Sequence, residues 1–324
     1  MSASTKIKLR KAFKCYQSGN LTKADSLCHT ILDKESGNID ALSLLADIAH
    51  QRGDLNARLI ILEKMVSLRP EQSDYHFNLG MTYSQAGMPD KALQSLRTSV
   101  RLKPDFGEAQ SRLCGTAGQL GRLDEAIKAG EAAIRLIPDS ISAQMNLATV
   151  YDAIGRSHEA LEHYKISAKL APDNHVIQCT LGDALIGNGA KQEAETSYRR
   201  AIALQPKYTP PYRQLSRLIN FTTIDNELST LISNLLNDKS LNEPDRSHLH
   251  FALGKIYEDC KMYDEAFQQF EIANSIEQRK SHFNSSEFTE IISKIISFYT
   301  PEFFNCRIDQ GNHSTLPAFI VGMP

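Results

Sequence analysis

The sequence predicts an all-α solenoid of stacked helix–turn–helix pairs, and three observations predict it. Gly19, Gly53, Gly87, Gly121, Gly155 and Gly189 stand 34 residues apart. Pro70, Pro104, Pro138, Pro172 and Pro206 keep the same period, each 17 residues after one of the last five glycines. Between these marks apolar residues recur at helical spacing, as in Leu79 with Tyr83 and Leu147 with Tyr151. A fixed period of this length marks a unit too small to bury its own apolar face, which becomes stable by stacking on copies of itself.

The composition narrows the function classes. The 324 residues carry 36 basic and 38 acidic side chains, a balance that argues against bulk attraction to nucleic acid or to an anionic membrane. Residues 1–8 are polar and basic with no apolar core for a signal peptide. No later stretch approaches the roughly 18 apolar residues of a membrane span. A soluble cytoplasmic protein without membrane or nucleic-acid partners is expected. The six cysteines form no close C-x-x-C pair, so they read as reduced thiols, with Cys15 and Cys28 at packing positions of one helix pair.

With the proline at position 32, the repeats begin at Thr5, Ile39, Ser73, Gly107, Ile141 and His175, so residues 5–208 hold six regular repeats. Gly87 ends a first helix in the left-handed conformation, and Pro104 stops a second helix because it has no amide donor. Small residues such as Gly80 and Ala92 let the paired helices approach closely. Arg58 stands at a small-residue position, which predicts a rotated second pair. Residues 209–246 lose the register: Pro210 and Pro211 open a seventh first helix, and Leu228, Leu231, Ile232, Leu235 and Leu236 predict an irregular partner. Residues 247–280 regain it through Leu253, Gly254, Tyr257, Ala266 and Phe270. Residues 281–317 read as an amphipathic helix, with Phe288, Ile291, Ile292, Ile295 and Ile296 on one face, followed by a loop. Ala318 to Val321 is a short apolar run of the kind found in buried parallel strands.

The spacing of Leu79, Gly80, Tyr83, Gly87, Ala92 and Pro104 resembles the tetratricopeptide repeat, and the match covers Thr5 to Tyr208. The end of the chain resembles something narrower. Asp245-Arg246, Leu249 to Lys255, Glu258-Asp259, Tyr263, Ala266-Phe267, Ala273-Asn274, Glu302 to Phe304 and Phe319 to Pro324 are similar to bacterial tetratricopeptide–sulfotransferase proteins. That resemblance implies that residues 318–324 are the first strand of a truncated sulfotransferase α/β domain. Gly322, Met323 and Pro324 would lead into a loop that cradles 3′-phosphoadenosine 5′-phosphosulfate with backbone amides. The given sequence stops before that loop, so the expected role is the substrate-recruiting part of a sulfotransferase, not catalytic by itself. The alternative is a free-standing adapter without enzyme activity.

The resemblance also implies where a partner sits. Such superhelices bind proteins or peptides, and here a glycan acceptor is a further option, on the concave face lined by positions 2, 5, 6, 9, 12 and 13 of each first helix. Asn78 and Asn146 share position 6, the column in which related repeats clasp a peptide backbone, although Leu44, Arg112 and Thr180 interrupt it. Met81, Thr149 and Asp183 share position 9. Gly115 and Gly118 are also concave, and two interior glycines cost a helix about 1 kcal/mol each. They read as a dent for a partner's backbone or as a soft repeat. No metal site is expected, because His248 and His250 point about 200° apart on a helix.

Overall fold

The computed structural model describes residues 2–280, 285–298 and 303. Among them the chain forms seventeen helices and no strand. They are α1 (Ala3–Gln17), α2 (Leu21–Leu32), α3 (Ile39–Arg52), α4 (Leu55–Leu68), α5 (Ser73–Gln85), α6 (Pro89–Leu102), α7 (Gly107–Gln119) and α8 (Leu123–Leu136). Next come α9 (Ile141–Ala153), α10 (Ser157–Leu170), α11 (His175–Gly187) and α12 (Lys191–Leu204). The series closes with α13 (Pro210–Leu218), α14 (Glu227–Leu236), α15 (Glu243–Asp259), α16 (Tyr263–Lys280) and α17 (Ser285–Phe298). No helix of the described residues is long and apolar enough to cross a membrane. The expected strand at residues 318–321, and Gly322, Met323 and Pro324, lie outside the described residues.

The glycine column has one physical cause. All six glycines adopt φ between 70° and 78°, the left-handed region that L side chains enter only at a cost. The turn from each first helix to its partner is built on that conformation. Lys261 has φ 61°, the one non-glycine positive φ among the described residues. It occupies the same turn of the late repeat, between α15 and α16, where a glycine would stand by analogy with Gly80 and Gly87.

The pairs close on a small-residue crossing. Ala12 and Ala24, Cys114 and Ala126, and Ala148 and Ala160 are all fully buried. Added bulk has no room there: a Cβ on Gly80 would lie 2.8 Å from Leu96 Cγ, and one on Gly182 would lie 2.5 Å from the Tyr198 ring. Around this crossing pack large side chains such as Tyr198, Tyr212, Leu147 and Ile232, each contributing about 1.5–3 kcal/mol on burial.

Arg58 stands at this crossing in the second pair. Its Nη1 donates to His50 Nδ1 at 2.9 Å, which places the proton of a neutral His50 ring on Nε2. Its buried Nε has no hydrogen-bond partner. Burial lowers the Arg58 pKa and raises that of nearby Asp47, and the attraction between the two opposes both shifts.

A second column ties each repeat to the one before it. His76, Gln110, Gln144, Gln178 and Tyr212 stand 34 residues apart at position 4. Each meets the carbonyl oxygen of the proline six residues earlier, at 2.8, 3.1, 2.8, 3.1 and 3.0 Å. These bonds satisfy carbonyls at the ends of the second helices.

The seventh unit is four residues longer than 34. The extra length is absorbed as one more turn at the start of α15, which begins at Glu243, capped by Asn242 with a proline in its first turn. α13 is correspondingly short, nine residues ending at extended Ile219, and it packs directly against α15.

Candidate functional site

The first helices of successive repeats touch one another (α1 with α3, α5 with α7, α7 with α9, α11 with α13, α13 with α15), and each second helix packs on the next first helix. The first helices therefore form the inner row, and the groove they line is the candidate site. Three stretches of it differ in character.

At the N-terminal end a cleft of about 510 Å³ lies between α1 and α3. Its floor is Leu9, Phe13 and Leu44, with Arg10 and Lys14 on one wall and Asp40 and Asp47 on the other. Phe13 is 50% exposed. This stretch was not legible as a site, because Leu44 read only as an interruption of the asparagine column.

The middle is closed by the protein itself. A Cβ at Gly115 would lie 3.2–3.3 Å from the Asn146 side-chain amide, and one at Gly118 would lie 2.9 Å from Val150 Cγ2. The space that these glycines provide is filled by α9 of the following repeat. Asn146 spends its amide there, donating to the Ser111 carbonyl at 2.9 Å and its hydroxyl at 3.2 Å. Asn78 is half-buried and makes no side-chain hydrogen bond among the described residues. Met81 is half-buried beside it, and Thr149 is exposed with its hydroxyl donated to the Met145 carbonyl at 2.9 Å.

Toward the C-terminal end, Asp183 sits between two clefts of about 340 and 280 Å³, both also lined by Gln214 and Arg217. Its Oδ1 accepts from the Tyr198 hydroxyl at 2.7 Å and from Gln214 Nε2 at 3.0 Å. Burial raises its pKa, and those two hydrogen bonds oppose the rise. Arg213 lies over the Phe251 ring, 4.1 Å from guanidinium carbon to ring centroid. Thr209 donates to Asp245 Oδ1 at 2.6 Å, so it accepts from His248 Nδ1–H at 3.0 Å, which fixes that ring's orientation.

The remaining polar features serve the scaffold. His250 Nδ1 lies 2.7 Å from Gln269 Oε1, and His163 makes the same bond to Gln144 in the fifth repeat with the residue types exchanged. Burial pushes the Cys28 thiol up to about 11 and those of Cys114 and Cys179 up to about 12, so none is an activated nucleophile. Among the described residues no group of three or more His, Cys, Asp or Glu is placed to hold a metal ion.

A family model described as tetratricopeptide repeat matches residues 34–207, more than half of the chain. The chain belongs to the tetratricopeptide repeat family. One segment of this tetratricopeptide protein is 29% identical over 105 residues to an uncharacterised protein of Aquifex aeolicus, covering 32% of this chain and 14% of that protein. The chain thus spans a small part of the relative's length. Its fold is shared with PilF of Pseudomonas aeruginosa, with a TM-score of 0.56 and 15% identity over 66% of this chain and 96% of PilF. PilW, a type IV pilus biogenesis factor, aligns with a TM-score of 0.56 and 14% identity over 66% of this chain and 99% of PilW. The tetratricopeptide chain is a protein-interaction scaffold.

Proposed function

We propose that the scaffold binds an extended peptide, or a peptide-like segment of a protein, along the inner row of first helices in a reducing, cytoplasmic setting. The carrying observation is the groove's division: an apolar cleft with charged walls at one end, a cationic cleft at the other and a closed middle. A ligand that engages both ends is long and thin, and an extended chain rising about 3.3 Å per residue fits that description. Asn78, the position-6 asparagine whose side chain makes no hydrogen bond among the described residues, suits a peptide backbone better than Asn146, which is occupied by Ser111.

Selection of random dodecapeptides on the immobilised chain tests this reading. Selected peptides should lose binding to Phe13→Glu and Arg217→Glu variants and retain it on Lys64→Glu, which alters an exposed residue of the outer helix α4. Unchanged binding to both groove variants contradicts the reading.

A second reading rests on the C-terminal resemblance of Asp245 to Asn274 and of Phe319 to Pro324. In it the groove recruits a protein or glycan acceptor for sulfonyl transfer by a catalytic domain that follows residue 324. Gly322, Met323 and Pro324 would lead into the loop that holds 3′-phosphoadenosine 5′-phosphosulfate in that domain. A reading frame continuing after Pro324 as Arg-Ser-Gly-Thr-Thr supports this reading, and unrelated sequence in every frame removes it.

A further inference from the structure

We propose that Arg213 and Arg217 form an anion cleft that takes closely spaced carboxylates of an acidic peptide. The proposal rests on the groove reading above and assigns the chemistry of its C-terminal end.

The two arginines stand four residues apart on α13, so their side chains share one face of the helix. Both line the cleft of about 280 Å³ together with Cys179, Asp183, Gln214 and His248. α13 contains no acidic residue, and neither guanidinium lies within ion-pairing distance of a carboxylate among the described residues. The carboxylate on the cleft wall, Asp183, is engaged with Tyr198 and Gln214 instead. Elsewhere the chain pairs arginines across repeats, as in Arg97 with Glu125 at 2.5 Å and Arg200 with Asp173 at 3.4 Å.

Arg213 is half-buried, and stacking on Phe251 holds its guanidinium plane in place. Burial, and then the neighbouring charge of Arg217, lower its pKa, with Glu277 the opposing influence. Two like charges on one helix face, one of them half-buried, are relieved by an anion that reaches both. Fork-shaped donors suit carboxylates in particular, since each guanidinium offers two parallel N–H groups.

The occupant is narrowed by what surrounds the cleft. The whole chain carries a net charge of −2, which disfavours a long polyanion such as nucleic acid. Apolar surface lies directly beside the arginines, where Ile186, 41% exposed, and Leu218 line the adjoining cleft with Arg217. An acidic peptide with apolar residues next to its carboxylates matches those surfaces.

Fluorescence anisotropy of the full chain with labelled hexaglutamate and hexaglutamine peptides tests the assignment. Hexaglutamate should bind at least about tenfold tighter than hexaglutamine, and the preference should shrink as salt rises. Arg217→Gln, on an exposed side chain, should lose about tenfold for hexaglutamate, and Arg213→Gln should lose at least as much while keeping the wild-type circular dichroism spectrum. Arg69→Gln, exposed and distant, removes the same charge and should change nothing. An equal loss on Arg69→Gln, no preference for hexaglutamate, or tighter binding of an oligothymidylate overturns the proposal. Display-selected peptides that bind Arg217→Gln and Arg213→Gln as tightly as the wild type overturn the cleft alone and leave the groove reading standing. No binding by any peptide removes the groove reading with it.

Discussion

Lys261 sits in a conformation that six glycines occupy elsewhere in the chain, and replacing it with glycine should make the protein more stable. At φ 61° a side chain costs about 1–2 kcal/mol relative to the right-handed region. Glycine removes that cost but adds roughly 0.5–1 kcal/mol of unfolded-state freedom. The expected net gain is about 0.5–1 kcal/mol. The mirror experiment is Gly121→Ala, where φ is 70° and no heavy atom beyond the adjoining residues lies within 4 Å of the added Cβ. Its cost is therefore conformational alone and of similar size with opposite sign. Lys261→Ala controls for loss of the lysine side chain and should change little, because the strained backbone stays. Urea unfolding reads the overall change, and hydrogen exchange reads whether the gain is local to α15 and α16, as expected when each repeat touches only its neighbours. A Lys261→Gly variant no more stable than the wild type, with a Gly121→Ala variant no less stable, refutes the account of the glycine column.

Three further outcomes are expected. Gly118→Ala should destabilise by about 1 kcal/mol net, overpacking against Val150 outweighing the helix-propensity gain, and Val150→Ala in the same chain should recover most of the loss in urea unfolding. Exchanging Gln144 and His163 together should preserve stability, because His250 and Gln269 already form the exchanged pair, whereas either substitution alone should cost about 1 kcal/mol in a double-mutant cycle. Glu35 accepts from the Thr5 hydroxyl at 2.6 Å and from Asn38 Nδ2 at 2.9 Å, and these bonds, Thr5 first, lower its pKa. Its stabilisation is fully present above the unfolded carboxylate value, about 4.3, and is lost as pH falls through the lower folded value. The difference in Tm between wild type and Glu35→Gln should thus be visible at pH 7 and shrink at pH 3.

The architecture was legible because its causes are local. Glycine at a left-handed turn and proline at a helix end each act within a few residues, and the first helices from Ile39 to His175 begin where the 34-residue register places them. The groove was less legible because its chemistry lies between repeats. Gly115 and Gly118 read as a dent or a soft repeat when only α7 is considered, and the structure sets Asn146 and Val150 of α9 against them. Asn146 and Asn78 share a column and each has a serine 35 residues earlier, Ser111 and Ser43, yet only Asn146 is bonded to its serine, across first helices that pack closely. The position-4 column was visible in the spacing of His76, Gln110, Gln144, Gln178 and Tyr212, but its mixed residue types hid a shared task, reaching one carbonyl. Arg213 and Arg217 went unmarked because what sets them apart lies in another repeat: the ring under Arg213, Phe251, is 38 residues away.

The central claim is that the inner row, and not the outer helices, receives the ligand. Hydroxyl-radical footprinting of the full chain with a display-selected dodecapeptide tests it most directly. Phe13, Met81 and Met145 line the inner row, whereas Ile60, Met88 and Leu136 are exposed elsewhere on the solenoid. Oxidation of the first three should fall on peptide addition while the second three stay unchanged. Protection of Ile60, Met88 and Leu136 with Phe13, Met81 and Met145 still oxidised at the free-protein rate would contradict the account.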